Sequence, residues 1–331
     1  MENGIFAGRR GFITFTQRLI ARLSTSRYLS FLFLLFLGFP IHSLRIAVIP
    51  DNAKPGYPLS VAVEGARGEG LVAKLVNTQG VISSAPLFDM NPRRFLRGNI
   101  VKAALLSVPS TAKSGRATLK IENNRGLLGE SVVNIMERDF VSEVISLDKR
   151  NTEIRATPSI KKTEEAQKLW TILSRTDDAF YAAEMSFSPP VASTRRTSFF
   201  GDRRVYRYST GGTDTAIHAG IDYGVPIGTP VKACASGRVV LAAFREATGN
   251  SIVLEHLPGV YSLYYHLSRL NVEEGAFVLR GDTLGESGMT GLATGPHLHW
   301  EIRIAGENTD PDVCILKPIF DSESLIRRLQ E

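Results

Sequence analysis

The sequence predicts a mostly β protein, and three observations carry that expectation. Residues 44–140 consist of short apolar runs cut by turn signals, the runs being Arg45–Ile49, Leu59–Val63, Leu71–Val76, Ile100–Val108, Arg116–Ile121 and Ser131–Ile135. Residues 198–316 repeat a pattern of strand, tight turn and strand, with Gly228-Thr229-Pro230, Ser236-Gly237, Gly249-Asn250, Pro258-Gly259 and Gly281-Asp282 as punctuation. Helical periodicity is absent from that second stretch, and the clearest helical spacing lies between the two, near 163–173.

Taken in order, the chain opens with a targeting segment. Five arginines (Arg9, Arg10, Arg18, Arg22 and Arg27) precede the uncharged run from Leu29 to Phe39. That run is short for a bilayer-spanning helix, which needs about 20 residues, and it fits the h-region of a secretory signal. Residues 1–43 therefore read as a signal peptide or signal anchor, and the remainder as exported, in the periplasm or cell envelope, with a membrane anchor if the segment is retained. With Glu2 as its one acid, the segment holds +4 of the chain's formal +6. What is left is nearly balanced and offers no basic patch for nucleic acid.

The length of 331 residues suits two domains. Strands at the spacing seen over 44–140 suggest a small sandwich, immunoglobulin-like in a loose sense, with no chemistry-bearing cluster. In the linker, 141–197, Thr163 caps a helix whose first turn holds Glu164 and Glu165. Its stripe of Leu169, Trp170, Ile172 and Leu173 is a packing face. Asp177 to Thr197, with Ser188-Pro189-Pro190, reads as a connector into the domain at 198–316, and 317–331 as a helical tail. Cys234 and Cys314 are too few for a disulfide scaffold; they pair in an oxidising compartment or are small buried residues. The apolar run around Cys234 favours the second.

Chemistry concentrates late in the chain: five of the six histidines fall within 218–299. In Gly295-Pro296-His297-Leu298-His299-Trp300-Glu301 the two histidines share one face if the segment is a strand. Paired imidazoles make a poor core and a good metal site, since each ring has a polar nitrogen to satisfy. Upstream, His218-Ala219-Gly220-Ile221-Asp222 puts imidazole, open space and carboxylate on one face when extended, with Ala219, Ile221 and Tyr223 on the other. Two histidines and an aspartate suit one Zn²⁺ per chain, and three protein ligands leave a fourth position for water. Glu301 shares the His299 face and either orients that ring or is solvated. His256 reads as a solvent-facing or strand-end residue, and Trp300 as core.

Five segments carry a family resemblance: His218-x-Gly-x-Asp222, Gly228-Thr-Pro-Val231, Tyr265-His266-Leu267-Ser268, Gly281-Asp-x-Leu-Gly285 and Gly295-Pro-His297-Leu-His299. Together they resemble the lysostaphin-type (LytM-like) zinc metallopeptidases over roughly 198–316. The resemblance implies a β-sheet groove of the duplicated-hybrid-motif type, with zinc at its floor and peptide bonds of peptidoglycan as substrate. By position, His218, Asp222 and His299 match the zinc ligands. His266 and His297 match the two catalytic histidines beside the zinc-bound water. No HExxH motif is present, so the usual glutamate base of zincins is missing and histidine must take its role. A second reading is a catalytically inactive relative that binds the wall and activates a separate amidase. Relatives of that kind lack metal-site residues, and this chain keeps all five.

Overall fold

The computed structural model describes residues 44–90, 101–175 and 184–331. The targeting segment expected over 1–43 lies outside the described residues, as does part of the expected connector. Among the described residues no helix is long and apolar enough to cross a membrane. Among the described residues the architecture is mostly β, with four short helices.

The first stretch forms two sheets. One runs in the order Arg45–Ile49, Pro58–Glu64, Val101–Ser107, Phe88–Asp89; the other in the order Asn52–Ala53, Gly126–Ile135, Gly115–Asn123, Val72–Asn77, Gly80–Pro86. Between them lies a core that includes Val61, Val63, Leu75, Leu106, Leu119 and Ile121. The four-stranded sheet is buried on both faces, which explains why its strands read as nearly continuous apolar runs rather than alternating ones. Its second face carries Ala47, Ala62, Ala103 and Leu105 against Phe320 and Leu325 from the C-terminus. Small alanines there let a helix approach closely. Gly115–Asn123, in the sheet with a solvated face, keeps a clean alternation.

The segment 141–197 is more than a connector. Ser142–Ser146 pairs in parallel with Arg203–Arg207, which pairs antiparallel with Thr213–Ile217. Arg196–Ser198 extends the large C-terminal sheet by pairing with Ile221–Tyr223. Helix α1 (Lys149–Ala156) has no apolar stripe, and polar contacts hold it instead. Asn151 Nδ2 donates to the Ala293 carbonyl at 3.2 Å, and Arg155 lies 4.0 Å over the Tyr206 ring while pairing with Asp214. Helix α2 spans Ile160–Leu173, starting a turn before the expected site. Ser159 is the cap, accepting from the Lys162 N–H, while Thr163 bonds back to the Ser159 carbonyl inside the first turn. Of the expected stripe, Ile172 and Leu173 enter a core with Leu241, Val253, Tyr261 and Leu263, whereas Trp170 is 62% exposed.

The C-terminal domain centres on a sheet in the order Arg196–Ser198, Ile221–Tyr223, Leu298–Ile304, Val260–Leu267, Gly249–Leu257, Gly237–Arg245, Phe277–Val278, with Glu307–Thr309 pairing along residues 302–304 of Leu298–Ile304. Val260–Leu267 is buried at every position and forms the spine. A small sheet of Pro230–Lys232, Thr283–Glu286 and Arg269–Leu270 stands beside it. The chain closes with α3 (Pro311–Leu316) and α4 (Ser322–Gln330). The side chain of Ser60 donates to the Ile319 carbonyl, and Arg138 bridges the Pro55 carbonyl and Asp310. The four-stranded sheet and the C-terminal tail therefore share one core. Phe320 is fully buried with its ring 6.0 Å from Phe88. Phe320→Ala is expected to cost about 3–5 kcal/mol in denaturant unfolding; an unchanged midpoint would show that this core does not bind the two regions together.

Candidate metal centre

Antiparallel pairing between Ile221–Tyr223 and Leu298–Ile304 sets Asp222 directly opposite His299. Opposed residues project on the same face, so carboxylate and imidazole meet: Asp222 Oδ1 lies 2.7 Å from His299 Nδ1. His218 arrives from the loop after Thr213–Ile217, and its Nε2 sits 3.1 Å from Asp222 Oδ1 and 3.0 Å from His299 Nδ1. All three side chains are buried, and one ligand atom from each lies within 4.8 Å of the others.

The chain reaches this arrangement by a bend rather than by one extended strand from 218 to 222. Gly220 stands at the bend, and it does not leave open space as the sequence suggested. A β-carbon there would fall 2.1 Å from the Trp300 carbonyl oxygen, so glycine is required by the close approach of two backbones.

Each of the two rings, His218 and His299, has its other nitrogen tied. His218 Nδ1 donates to the Phe199 carbonyl at 2.8 Å, and His299 Nε2 donates to Glu301 Oε1 at 3.0 Å. Glu301 in turn accepts from Arg303 at 2.8 Å. These outer bonds fix the tautomers, so that His218 Nε2 and His299 Nδ1 turn their lone pairs inward. Glu301 is buried, which removes the solvated alternative. The Tyr265 ring stacks on His299, 5.5 Å between centroids and 4° between planes.

Electrostatics agree with the geometry. Burial lowers the His218 pKa, which favours the neutral ring that metal binding requires. Burial alone would raise Asp222, but His218 and His299 hold it well below the usual carboxylate range. Burial alone would lower His299, but hydrogen bonds to Asp222 and Glu301 raise it to about 9. Two imidazole nitrogens and one carboxylate oxygen, buried and aimed together, fit a zinc ion by donor type and number.

Two more histidines line the cluster. His297 Nε2 is 3.8 Å from Asp222 Oδ1, and its Nδ1 donates to the Gly295 carbonyl at 2.8 Å. His266 has its ring centroid 4.7 Å from that of His297, and its Nδ1 donates to the Thr290 carbonyl at 2.7 Å. Its backbone is in the left-handed region at φ +63°, uncommon for a residue other than glycine. That turn brings two successive rings, Tyr265 and His266, beside His299. Burial, then His297 and His299, lower the His266 pKa to about 3.

Other expectations fare differently. His256 is buried, bonded to the Ser236 carbonyl and Ser262 Oγ at 2.8 and 2.7 Å, and burial lowers it to about 4. It faces the interior because its strand is central in the sheet. Cys234 and Cys314 are buried free thiols. Three residues that matter were not singled out from sequence. Arg204 donates to Asp222 Oδ2 at 2.9 Å, and Glu143 and Ser198 hold Arg204.

Residues 216–311 match Peptidase family M23, a span that contains all five clustered histidine and aspartate positions. Among curated relatives, the DD-carboxypeptidase/endopeptidase Mpg of Neisseria meningitidis serogroup B is 41% identical over 122 residues, 37% of this chain and 27% of that protein. The peptidoglycan DD-endopeptidase ShyA of Vibrio cholerae is 31% identical over 185 residues, 54% of this chain and 41% of that one. Lysostaphin of Staphylococcus staphylolyticus is 45% identical over 92 residues, 27% of this chain and 19% of that one. The chain thus spans well under half the length of these relatives. A solved peptidase M23 structure from Pseudomonas aeruginosa matches with a TM-score of 0.51 at 24% identity, covering 79% of this chain and 93% of that one, which speaks to the fold. Residues 216–311, which hold this centre, are a peptidase family M23 domain of the lysostaphin type.

Proposed function

We propose that the protein is an exported zinc metalloendopeptidase that hydrolyses peptide bonds in bacterial peptidoglycan cross-links. The observation that supports this best is the convergence of His218 Nε2, Asp222 Oδ1 and His299 Nδ1, with two further imidazoles beside them. The names of the relatives, among them a peptidoglycan DD-endopeptidase, favour peptidoglycan as the substrate and a location outside the cytoplasm. The arginine-flanked apolar run before residue 44 is consistent with export.

His218, Asp222 and His299 would hold the metal. Bound there, zinc supplies Lewis-acid polarisation of the scissile carbonyl and activation of water. The chain's own residues supply the rest. Glu301 cannot serve as base, because one oxygen accepts from His299 and the other from Arg303. Proton transfer falls to His266 and His297. Both have Nδ1–H tied to a backbone carbonyl, which leaves Nε2 free to accept a proton. One ring takes the proton of the attacking water. Once protonated, a ring of this pair can donate to the tetrahedral oxyanion or to the leaving amine. His297, whose Nε2 stands close to Asp222 Oδ1, is the nearer of the two to the carboxylate, and the two rings act as a pair.

The first expectation concerns metal. The full chain should contain one zinc, and a chelator should abolish the release of new amino groups from purified sacculi. His218→Ala and His299→Ala should lose both zinc and release. Zinc bound without any release would favour the inactive, amidase-activating reading instead. The second concerns proton transfer. His297→Ala should retain zinc while turnover falls about 10²–10⁴-fold. Hydrolysis at the wild-type rate in that variant would defeat the assignment.

A further inference from the structure

The two oxygens of Asp222 meet different partners. Oδ1 faces His218 Nε2 and His299 Nδ1, at 3.1 and 2.7 Å. Oδ2 accepts from Arg204 Nη2 at 2.9 Å. Arg204 is braced in turn. Its Nε donates to Glu143 Oε1 at 2.7 Å and its Nη2 also donates to Ser198 Oγ at 2.6 Å. The Ser198 hydroxyl donates onward to the same Glu143 oxygen at 2.9 Å. The Arg204 side chain is only 13% exposed and that of Glu143 30%, so the network is part-buried and closes over Arg204 from its solvent side. Glu143 comes from Ser142–Ser146, where parallel pairing places it opposite Arg204. Neither residue lies in the 216–311 stretch that matches the family.

We propose that Arg204, braced by Glu143 and Ser198, is a positioning residue for the metal centre: it occupies Asp222 Oδ2 and leaves Oδ1 as the single oxygen offered to a divalent cation. The inference rests on reading His218, Asp222 and His299 as the metal ligands. A carboxylate without such a tie can turn and present both oxygens, as monodentate and bidentate carboxylate ligands both occur. A guanidinium fixes the plane of the carboxylate through charge-assisted hydrogen bonds. A cation beside a cation site has an electrostatic cost, and Glu143 on the far side of the guanidinium offsets it. Ser198 closes the bracket so that the guanidinium cannot swing toward solvent.

The test uses the full chain, with zinc and cobalt(II) as the probes. Glu143→Gln keeps the side-chain shape and removes its charge; Arg204→Lys keeps the charge and removes the fork. In each, the zinc dissociation constant, read by competition with a chromogenic chelator, should rise about 10- to 100-fold. The visible absorption of the cobalt(II) form should weaken in Arg204→Lys, as the second Asp222 oxygen joins and coordination number rises. Circular dichroism of both variants checks the fold, and if Arg204→Lys fails to fold, the Glu143→Gln affinity decides. Wild-type zinc affinity in Glu143→Gln, or wild-type affinity with an unchanged cobalt spectrum in a folded Arg204→Lys, would overturn the proposal. A wild-type chain that binds no zinc would instead overturn the metal-centre reading beneath it.

Discussion

The cross-strand pair of Asp222 and His299 is the constraint on which the rest of the centre depends. Two residues 77 positions apart become neighbours because their strands lie side by side in one antiparallel register. A slip of one residue would turn His299 to the opposite face and put Trp300 or Leu298 in its place. The register is held from both sides. Ile221 and Tyr223 are fully buried on the other face with Trp300 and Leu298, and Tyr265 of the spine strand pairs with His299 on its far edge. The chemistry of one face is thus secured by the packing of the other.

Placing so many ionisable groups inside a protein is expensive unless each is paired. Here the pairings run outward in two directions. Asp222 is answered by Arg204 and then Glu143; His299 by Glu301 and then Arg303. Each inner group thereby has its orientation set by an outer one. The surrounding segments serve this end: the strand of Glu143 and the loop of Phe199 both come from outside the stretch that matches the family.

What the sequence disclosed was local. Period-two spacing of His297 and His299, the His-x-Gly-x-Asp run, and turn-punctuated apolar segments depend only on near neighbours, and they pointed to the sheets and to the gathered side chains. What stayed hidden depends on distant partners. Nothing near Glu143 signals that a parallel strand will set it against Arg204. Nothing near Gly220 signals that the Trp300 carbonyl will press on it. Helix α1 escaped because polar contacts to Ala293 and Asp214, not an apolar stripe, hold it in place. The burial of His256 is not legible locally because its partners, Ser236 and Ser262, are not its near neighbours in sequence.

The proposed centre requires that His218 through Nε2, His299 through Nδ1 and one oxygen of Asp222 share a single ion. Anomalous diffraction at the zinc edge from crystals of the zinc-loaded full chain tests it directly. The expected map has one zinc peak within bonding distance of those three atoms, with Asp222 Oδ2 still on Arg204. A zinc peak elsewhere, or one contacted by His297 in place of Asp222, would contradict it.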